Sequence, residues 1–360
     1  MFVLDSHCDT PSQIMRLRDL GKDNPLAQVD FPKLHAGGVD ASFFALYTPA
    51  SLSMEDATHH ATDMLNRLQE CLRAHSDSVI LATDPDELEI NKKQGLVSIL
   101  IGMENGSPIQ QSIPLLQYFF RKGVRYLTLT HNGDNALADS AAEGTRWGGL
   151  SPFGREVVRE MNRLGMIVDL AHASDKTFYD CLEVSETPVV STHSCCRALA
   201  GHRRNMSDEM LRALRDQGGV IQINFYPVFL SDSFAKTYSR IEDEVDAAEN
   251  RFIAAPSDME AVQGWHRMQE KLLAMDRPSY RDVVDHIDHA VSVAGIDHVG
   301  IGSDFDGITV APKGLEDVSK IGVIFEEMRR RGYAEDEIAK VAGGNFLRVF
   351  SEVKRLSRAG

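Results

Sequence analysis

The sequence predicts a (β/α)₈ barrel, and three observations carry that expectation. Eight short apolar runs alternate with stretches of helical period along the 360 residues. No Gly/Ser-rich or Pro-rich linker divides the chain. Imidazoles and carboxylates recur just after the runs, where the C-terminal ends of parallel barrel strands would meet at one rim. A doubly wound open sheet is the other arrangement that such alternation allows. The count of eight and the placement of the polar residues favour the barrel, read as one domain over residues 1–360.

The runs are 2–6 (FVLDS), 41–47 (ASFFALY), 96–102 (LVSILIG), 124–130 (VRYLTLT), 166–171 (MIVDLA), 188–192 (PVVST), 220–225 (VIQINF) and 298–303 (HVGIGS). Such short, almost continuous apolar runs suit strands buried on both faces. The intervening stretches carry helix punctuation. Asp84-Pro85-Asp86-Glu87 supplies an N-cap, a proline at the first helical position and an acid two residues on. Ser151-Pro152 opens another helix, and Gly123, Gly165 and Gly218 stand where helices should stop. One interval is longer. Residues 235–275 read as charged helices inserted between strands seven and eight, either as decoration or as a lid over the active face.

Net charge is −15, with 43% hydrophobic and 25% charged residues. An acidic surface repels phosphate backbones and anionic lipid, so neither nucleic acid nor membrane is an expected partner. The N-terminus lacks the basic and apolar regions of a secretory signal, and no apolar run approaches the ~18–20 residues of a membrane span. Cys8, Cys71, Cys181, Cys195 and Cys196 include no CxxC pair. They read as reduced thiols in a cytoplasmic protein.

The polar residues after the runs are more specific. Run one is followed by His7 and Asp9, run three by Glu104, run four by His131, run five by His172, run six by His193, run seven by Tyr226, and run eight by Asp304 and Asp306. Carboxylates gathered at one rim repel each other and resist desolvation, and a cation resolves both costs. Imidazole and carboxylate ligands suit Zn²⁺. Five ligands (His7, Asp9, Glu104, His172 and His193) exceed what one tetrahedral ion needs, so two ions sharing Glu104 are expected. In a strand, i and i+2 share a face, so His7 and Asp9 can reach one ion while Cys8 turns away. The remaining histidines carry weaker signals. His59, His60, His75, His266, His286 and His289 fall in polar helical segments and read as solvated. His35 and His298 lie away from strand ends, and His202 sits in a rim loop as a supporting partner.

In this order, DSHCDTP, IGMENG, RYLTLTHNGDN, GLSPFGREVVREMNRLGMIVDLAHAS, PVVSTHS, HRRNM, INFY and GIGSDFDG resemble the membrane (renal) dipeptidase family of binuclear zinc peptidases. With GGNFLRVF near the C-terminus, the resemblance spans nearly the whole chain. It implies a (β/α)₈ barrel, two Zn²⁺ per chain and hydrolysis of dipeptides, L-Xaa-L-Xaa and L-Xaa-D-Xaa, by a metal-bridging hydroxide. It implies that His7 and Asp9 hold one zinc, His172 and His193 the other, and that Glu104 bridges them. It further implies that His131 contacts the substrate near the scissile group, Arg204 binds the substrate carboxylate, Tyr226 lines that pocket and Asp304 is the acid/base. The family's secreted, lipid-anchored members differ from this chain in signal and anchor, so localisation does not follow from the resemblance. The alternative is another metal-dependent hydrolase on the same barrel, a lactonase, deaminase or phosphotriesterase. Those commonly bridge their metals with a lysine, and none of the rim motifs supplies one. Barrels of this kind are often homodimers, but no stretch of the sequence marks an interface.

Overall fold

The computed structural model describes residues 1–142 and 144–358; Glu143, Ala359 and Gly360 lie outside that description. All eight expected runs contain strands, and every strand pairing is parallel. In chain order the strands are β1 (Leu4–Cys8), β2 (Ala41–Tyr47), β3 (Val79–Leu81), β4 (Val97–Glu104), β5 (Val124–Thr128), β6 (Ile167–Asp169), β7 (Val190–Ser194), β8 (Val220–Ile223) and β9 (Val299–Ile301). The order around the sheet is β1-β2-β4-β5-β6-β7-β8-β9. The short β3, which the sequence reading missed, pairs only with the first half of β4, on the edge that β5 takes at the second half.

The two ends of the sheet meet just beyond β9. Asp304 N–H donates to the His7 carbonyl at 3.0 Å, and Asp9 N–H donates to the Phe305 carbonyl at 2.8 Å. The buried Asp5 carboxylate accepts the Ser303 N–H at 2.8 Å and its hydroxyl at 2.5 Å. The result is a nearly closed barrel of eight parallel strands ringed by helices, with the first and last functional loops laced together.

Apolar side chains fill the N-terminal half of the barrel. Leu4, Phe43, Leu100, Tyr126, Ile167, Val190 and Val220 form one buried cluster with Phe346, Val349, Phe350 and Val353 of the helix Asn345–Leu356. Those four helical positions follow i, i+3, i+4, i+7, so the last helix lays its apolar stripe across that end of the barrel. The larger cluster lies between the outer faces of the strands and the surrounding helices.

The helix signals act as read. Asp84 caps the helix Pro85–Lys93 in a capping box with Glu87. Ser151 caps the helix Pro152–Leu164, which ends at Gly165 in the left-handed region. Between β8 and β9 lie the helices Asp232–Tyr238, Glu242–Ala254 and Met259–Ala274. No helix among the described residues is long and apolar enough to cross a membrane.

His286 corrects the sequence reading. It is 1% exposed, accepts the Cys196 N–H on Nδ1 and bonds the Leu230 carbonyl through Nε2. It shares the inner face of the helix Tyr280–Ala294 with Val283, Ile287 and Ala290, at the i+3, i+4 and i+7 spacing that its polar neighbours obscured. His289 is half-buried and pairs with Asp208 at 2.7 Å, and the His75 ring packs on Phe31. Neither is simply solvated.

Candidate active site

The fold brings His7, Asp9, Glu104, His131, His172, His193, Arg204, Tyr226 and Asp304 to one end of the barrel. Most of them line a cavity of about 420 Å³; His7 and His193 lie buried beside it. His7 and Glu104 stand at the last turns of β1 and β4. Asp9 lies just past β1, where it precedes the short helix Thr10–Met15. The strand argument therefore covers His7 alone, yet Asp9 Oδ2 still comes within 3.6 Å of His7 Nε2. Cys8 points away, with Sγ against Ser42 Oγ and the Phe43 carbonyl. Asp306 also lines the cavity, but its carboxylate is held by Arg18 at 2.7 Å and by Thr10.

Glu104 is the centre of the arrangement. Its Oε2 lies 3.7 Å from His7 Nε2. Its Oε1 lies 3.0 Å from His172 Nε2 and 3.4 Å from His193 Nε2. The other ring nitrogens are held from behind. His7 Nδ1 meets the Tyr126 hydroxyl at 2.8 Å, His172 Nδ1 meets Asn132 Oδ1 at 3.0 Å, and His193 Nδ1 meets Thr192 Oγ1 at 2.9 Å. Thr192 in turn donates its hydroxyl to Asp169.

These partners test whether a metal fits. Asn132 Oδ1 can only accept, so His172 carries its proton on Nδ1. Thr192 has given its own proton to Asp169, so His193 also donates from Nδ1. Both Nε2 atoms then present lone pairs, 2.9 Å apart and facing one carboxylate oxygen. A cation would relieve that convergence. His7 Nε2 and Asp9 Oδ1 are buried without a hydrogen-bond partner, as metal ligands would be in the protein alone. The residues present fit a metal centre.

The electrostatics agree. Burial raises the Glu104 carboxyl well above its usual range, and Asp9 and Asp304 add repulsion. Desolvation opposes a charge on His7, but Glu104, Asp9 and Asp304 outweigh it and lift His7 to about 10. Burial and nearby Arg204 hold His172 and His193 well below the ordinary imidazole range. His131 is pushed down to about 3 for the same two reasons, so it is a neutral imidazole. Its ring lies 4.3 Å from that of His172. Burial raises Asp304 to about 7. Asn224 Nδ2 holds Asp304 Oδ2 at 2.9 Å, and Asp304 takes a left-handed φ of 61°.

Arg204 is buried, 6% exposed. Its guanidinium lies over the Phe229 ring, and Nη2 donates to the His193 carbonyl at 3.2 Å. Its buried Nε has no partner. His202 accepts the Arg204 N–H on Nδ1 and packs on Phe229, the supporting position expected of it. Tyr226 packs edge-on against Phe229.

Sequence reasoning missed Tyr126, Asn224 and Gly307. Tyr126 reads as an ordinary strand aromatic until the register sets it opposite Gly102. A Cβ on Gly102 would fall 2.0 Å from the Tyr126 ring. A Cβ on Gly307 would fall 2.0 Å from Asp9 Oδ2 and 2.7 Å from Asp304 Oδ1. The glycine of the SDFDG motif thus makes room for two carboxylates.

Comparison with known proteins places this geometry. The chain is 33% identical to the dipeptidase aclJ of Aspergillus oryzae, over 97% of this chain and 75% of that protein. It is 31% identical to an uncharacterized dipeptidase of Schizosaccharomyces pombe, over 99% of this chain and 82% of that one. Among solved structures, the probable dipeptidase PvdM of Pseudomonas aeruginosa superposes with a TM-score of 0.83 at 28% identity, covering 99% and 96% of the two chains. A metallopeptidase of Rhodobacter sphaeroides, liganded with a phosphinate mimic of the dipeptide L-Ala-D-Ala, gives 0.80 at 25% identity, covering 98% and 99%. The membrane dipeptidase (peptidase family M19) model matches residues 1–359. The chain therefore belongs to the membrane dipeptidase family of metallopeptidases, and is a dipeptidase that hydrolyses peptide bonds.

Proposed function

We propose that this dipeptidase cleaves free L-Xaa-L-Xaa and L-Xaa-D-Xaa dipeptides with two zinc ions. His7 and Asp9 would hold one ion, His172 and His193 the other, and Glu104 would bridge them. The observation that carries this reading is the division of the Glu104 carboxylate, one oxygen toward His7 and the other toward His172 and His193. Imidazole with carboxylate is a zinc ligand set. When bound, the zinc pair supplies an activated water and polarises the scissile carbonyl.

The chain's own residues do the rest. Arg204 offers a buried guanidinium to the C-terminal carboxylate of the substrate, and Tyr226 walls that end. A longer peptide would set another amide there, so the clamp favours dipeptides. His131, a neutral imidazole, donates a hydrogen bond to the carbonyl oxygen as negative charge develops. Asp304, oriented by Asn224, takes a proton from the attacking water and delivers it to the departing amine. Acceptance of a D-residue draws support from the L-Ala-D-Ala mimic bound by the Rhodobacter sphaeroides relative.

Residues 1–360 are read as one barrel domain with the helical insertion at about 235–275 set over the cavity mouth. That cover draws on Glu242, Glu249, Asn250 and Ile253, which line the cavity. The five unpaired cysteines suit a reducing, cytoplasmic setting.

The test is a kinetic screen of L,L- and L,D-dipeptides before and after chelation. Hydrolysis should fall to background on metal removal and return as zinc is restored to about two ions per chain. Full activity after complete metal removal would overturn the reading.

A further inference from the structure

We propose that Arg16 reads the side chain of the substrate's N-terminal residue and favours an acidic one, aspartate or glutamate. This rests on the reading in which Arg204 holds the C-terminal carboxylate.

That clamp fixes the direction of the substrate. Arg204 lies on the His193 side of the centre, bonded to the His193 carbonyl. The scissile bond must lie over Glu104 and Asp304. The N-terminal residue then runs the other way, past Asp9, to the wall formed by the residues after β1 and the helix Glu242–Ala254. Arg16 and Glu249 line the cavity from those two elements.

Arg16 is the unclaimed cation of that wall. Its neighbour Arg18 is tied to Asp306 at 2.7 Å. Among the described residues, the half-buried Arg16 side chain has no hydrogen bond or ion pair. Burial lowers its pKa, and the carboxylates that support its charge are those of Glu249, Asp306 and Asp9. Asp306 is committed to Arg18 and Thr10, and Asp9 belongs to the proposed metal centre. Glu249 remains, and it too has no side-chain partner among the described residues. The two face one cavity without closing into an ion pair, so a ligand does not have to break one. Every dipeptide brings an α-ammonium to this end, and Glu249 is the carboxylate there to meet it. Arg16 is left for the side chain. A substrate carboxylate gives it the planar, charge-assisted partner it lacks. A lysine side chain would set a second cation beside it.

The experiment compares kcat/KM for aspartyl-alanine, glutamyl-alanine, alanyl-alanine and lysyl-alanine with the zinc-loaded enzyme. The wild type should prefer the acidic substrates over alanyl-alanine. Arg16→Ala should lower the acidic-to-neutral ratio by roughly tenfold or more, the scale of a lost hydrogen bond to a charged group. Arg16→Lys should keep part of the preference. Glu249→Gln should raise it, which keeps the test decisive if Arg16→Ala does not fold. An unchanged ratio in Arg16→Ala, or an equal loss on all four substrates, overturns the proposal. Failure of the wild type to hydrolyse any of the four overturns the proposed zinc-dependent action on free L,L-dipeptides, on which the proposal rests.

Discussion

The Tyr126 hydroxyl lies 2.8 Å from His7 Nδ1, and it reaches that point over the bare backbone of Gly102. The pair joins the packed half of the barrel to its reactive end, since the Tyr126 ring belongs to the apolar cluster beneath the site. If Nε2 holds the proposed metal, Nδ1–H would donate to the tyrosine oxygen and fix the ring.

Tyr126→Phe keeps the ring and removes that partner. Support of this kind is typically worth roughly 10–100-fold in metal affinity. The variant should fold, because phenylalanine fills the same space against Gly102 and Phe43. It should lose zinc to a competing chelator at lower chelator concentration, with unchanged far-UV circular dichroism. Zinc affinity equal to that of the wild type would show that the hydroxyl does not support His7.

Gly307→Ala tests the crowding beside the two carboxylates. The added methyl would sit 2.0 Å from Asp9 Oδ2, so Asp9 and Asp304 must move. A displacement near 1 Å at a reacting group can cost roughly 100-fold in rate. Turnover of dipeptides should drop on that scale while thermal stability changes little, because Gly307 lies at the cavity and not in the apolar core. Calorimetry alongside kcat separates the two effects.

Arg204→Ala tests the carboxylate clamp. Hydrolysis of a free dipeptide should weaken far more than hydrolysis of the same dipeptide as its C-terminal amide, by roughly tenfold or more. Equal losses on acid and amide would assign Arg204 a structural role instead.

The parts of this molecule legible in the sequence are those written by period and punctuation. Buried parallel strands are short apolar runs, and a rim residue such as His172 or Asp304 follows its run directly. Tyr126 was not legible, because its role depends on the register that sets it beside Gly102. His286 was misread because three inward positions around it were outweighed by Asp282, Asp285, Asp288 and His289 on the other faces of the helix. The HRRNM motif singles out Arg204, but its packing over Phe229 was not legible, because only the folded loop brings the two together. Strand β3 is as short as β6 and β9, but only its first residue is fully buried.

Glu327 provides a prediction remote from the active end. It is 3% exposed and accepts hydrogen bonds from Arg330 Nε at 2.7 Å, Arg330 Nη2 at 2.6 Å and Arg331 Nε at 2.9 Å. Arg331 also bonds Asp285 and Asp288, which ties the helix Gly322–Arg330 to the helix Tyr280–Ala294. The hydrogen bonds from Arg330 chiefly, with those from Arg331, hold the Glu327 carboxyl at about 2, below its ordinary 4.5. A depressed carboxyl stabilises the fold fully above its unfolded pKa. That contribution fades as pH falls from 4.5 toward 2, because the unfolded chain then takes up the proton first. Glu327→Gln should therefore be less stable than the wild type near neutrality. The gap in urea midpoint should narrow steadily on acidification across that window. A gap independent of pH would mean that the glutamate contributes by packing and not by charge.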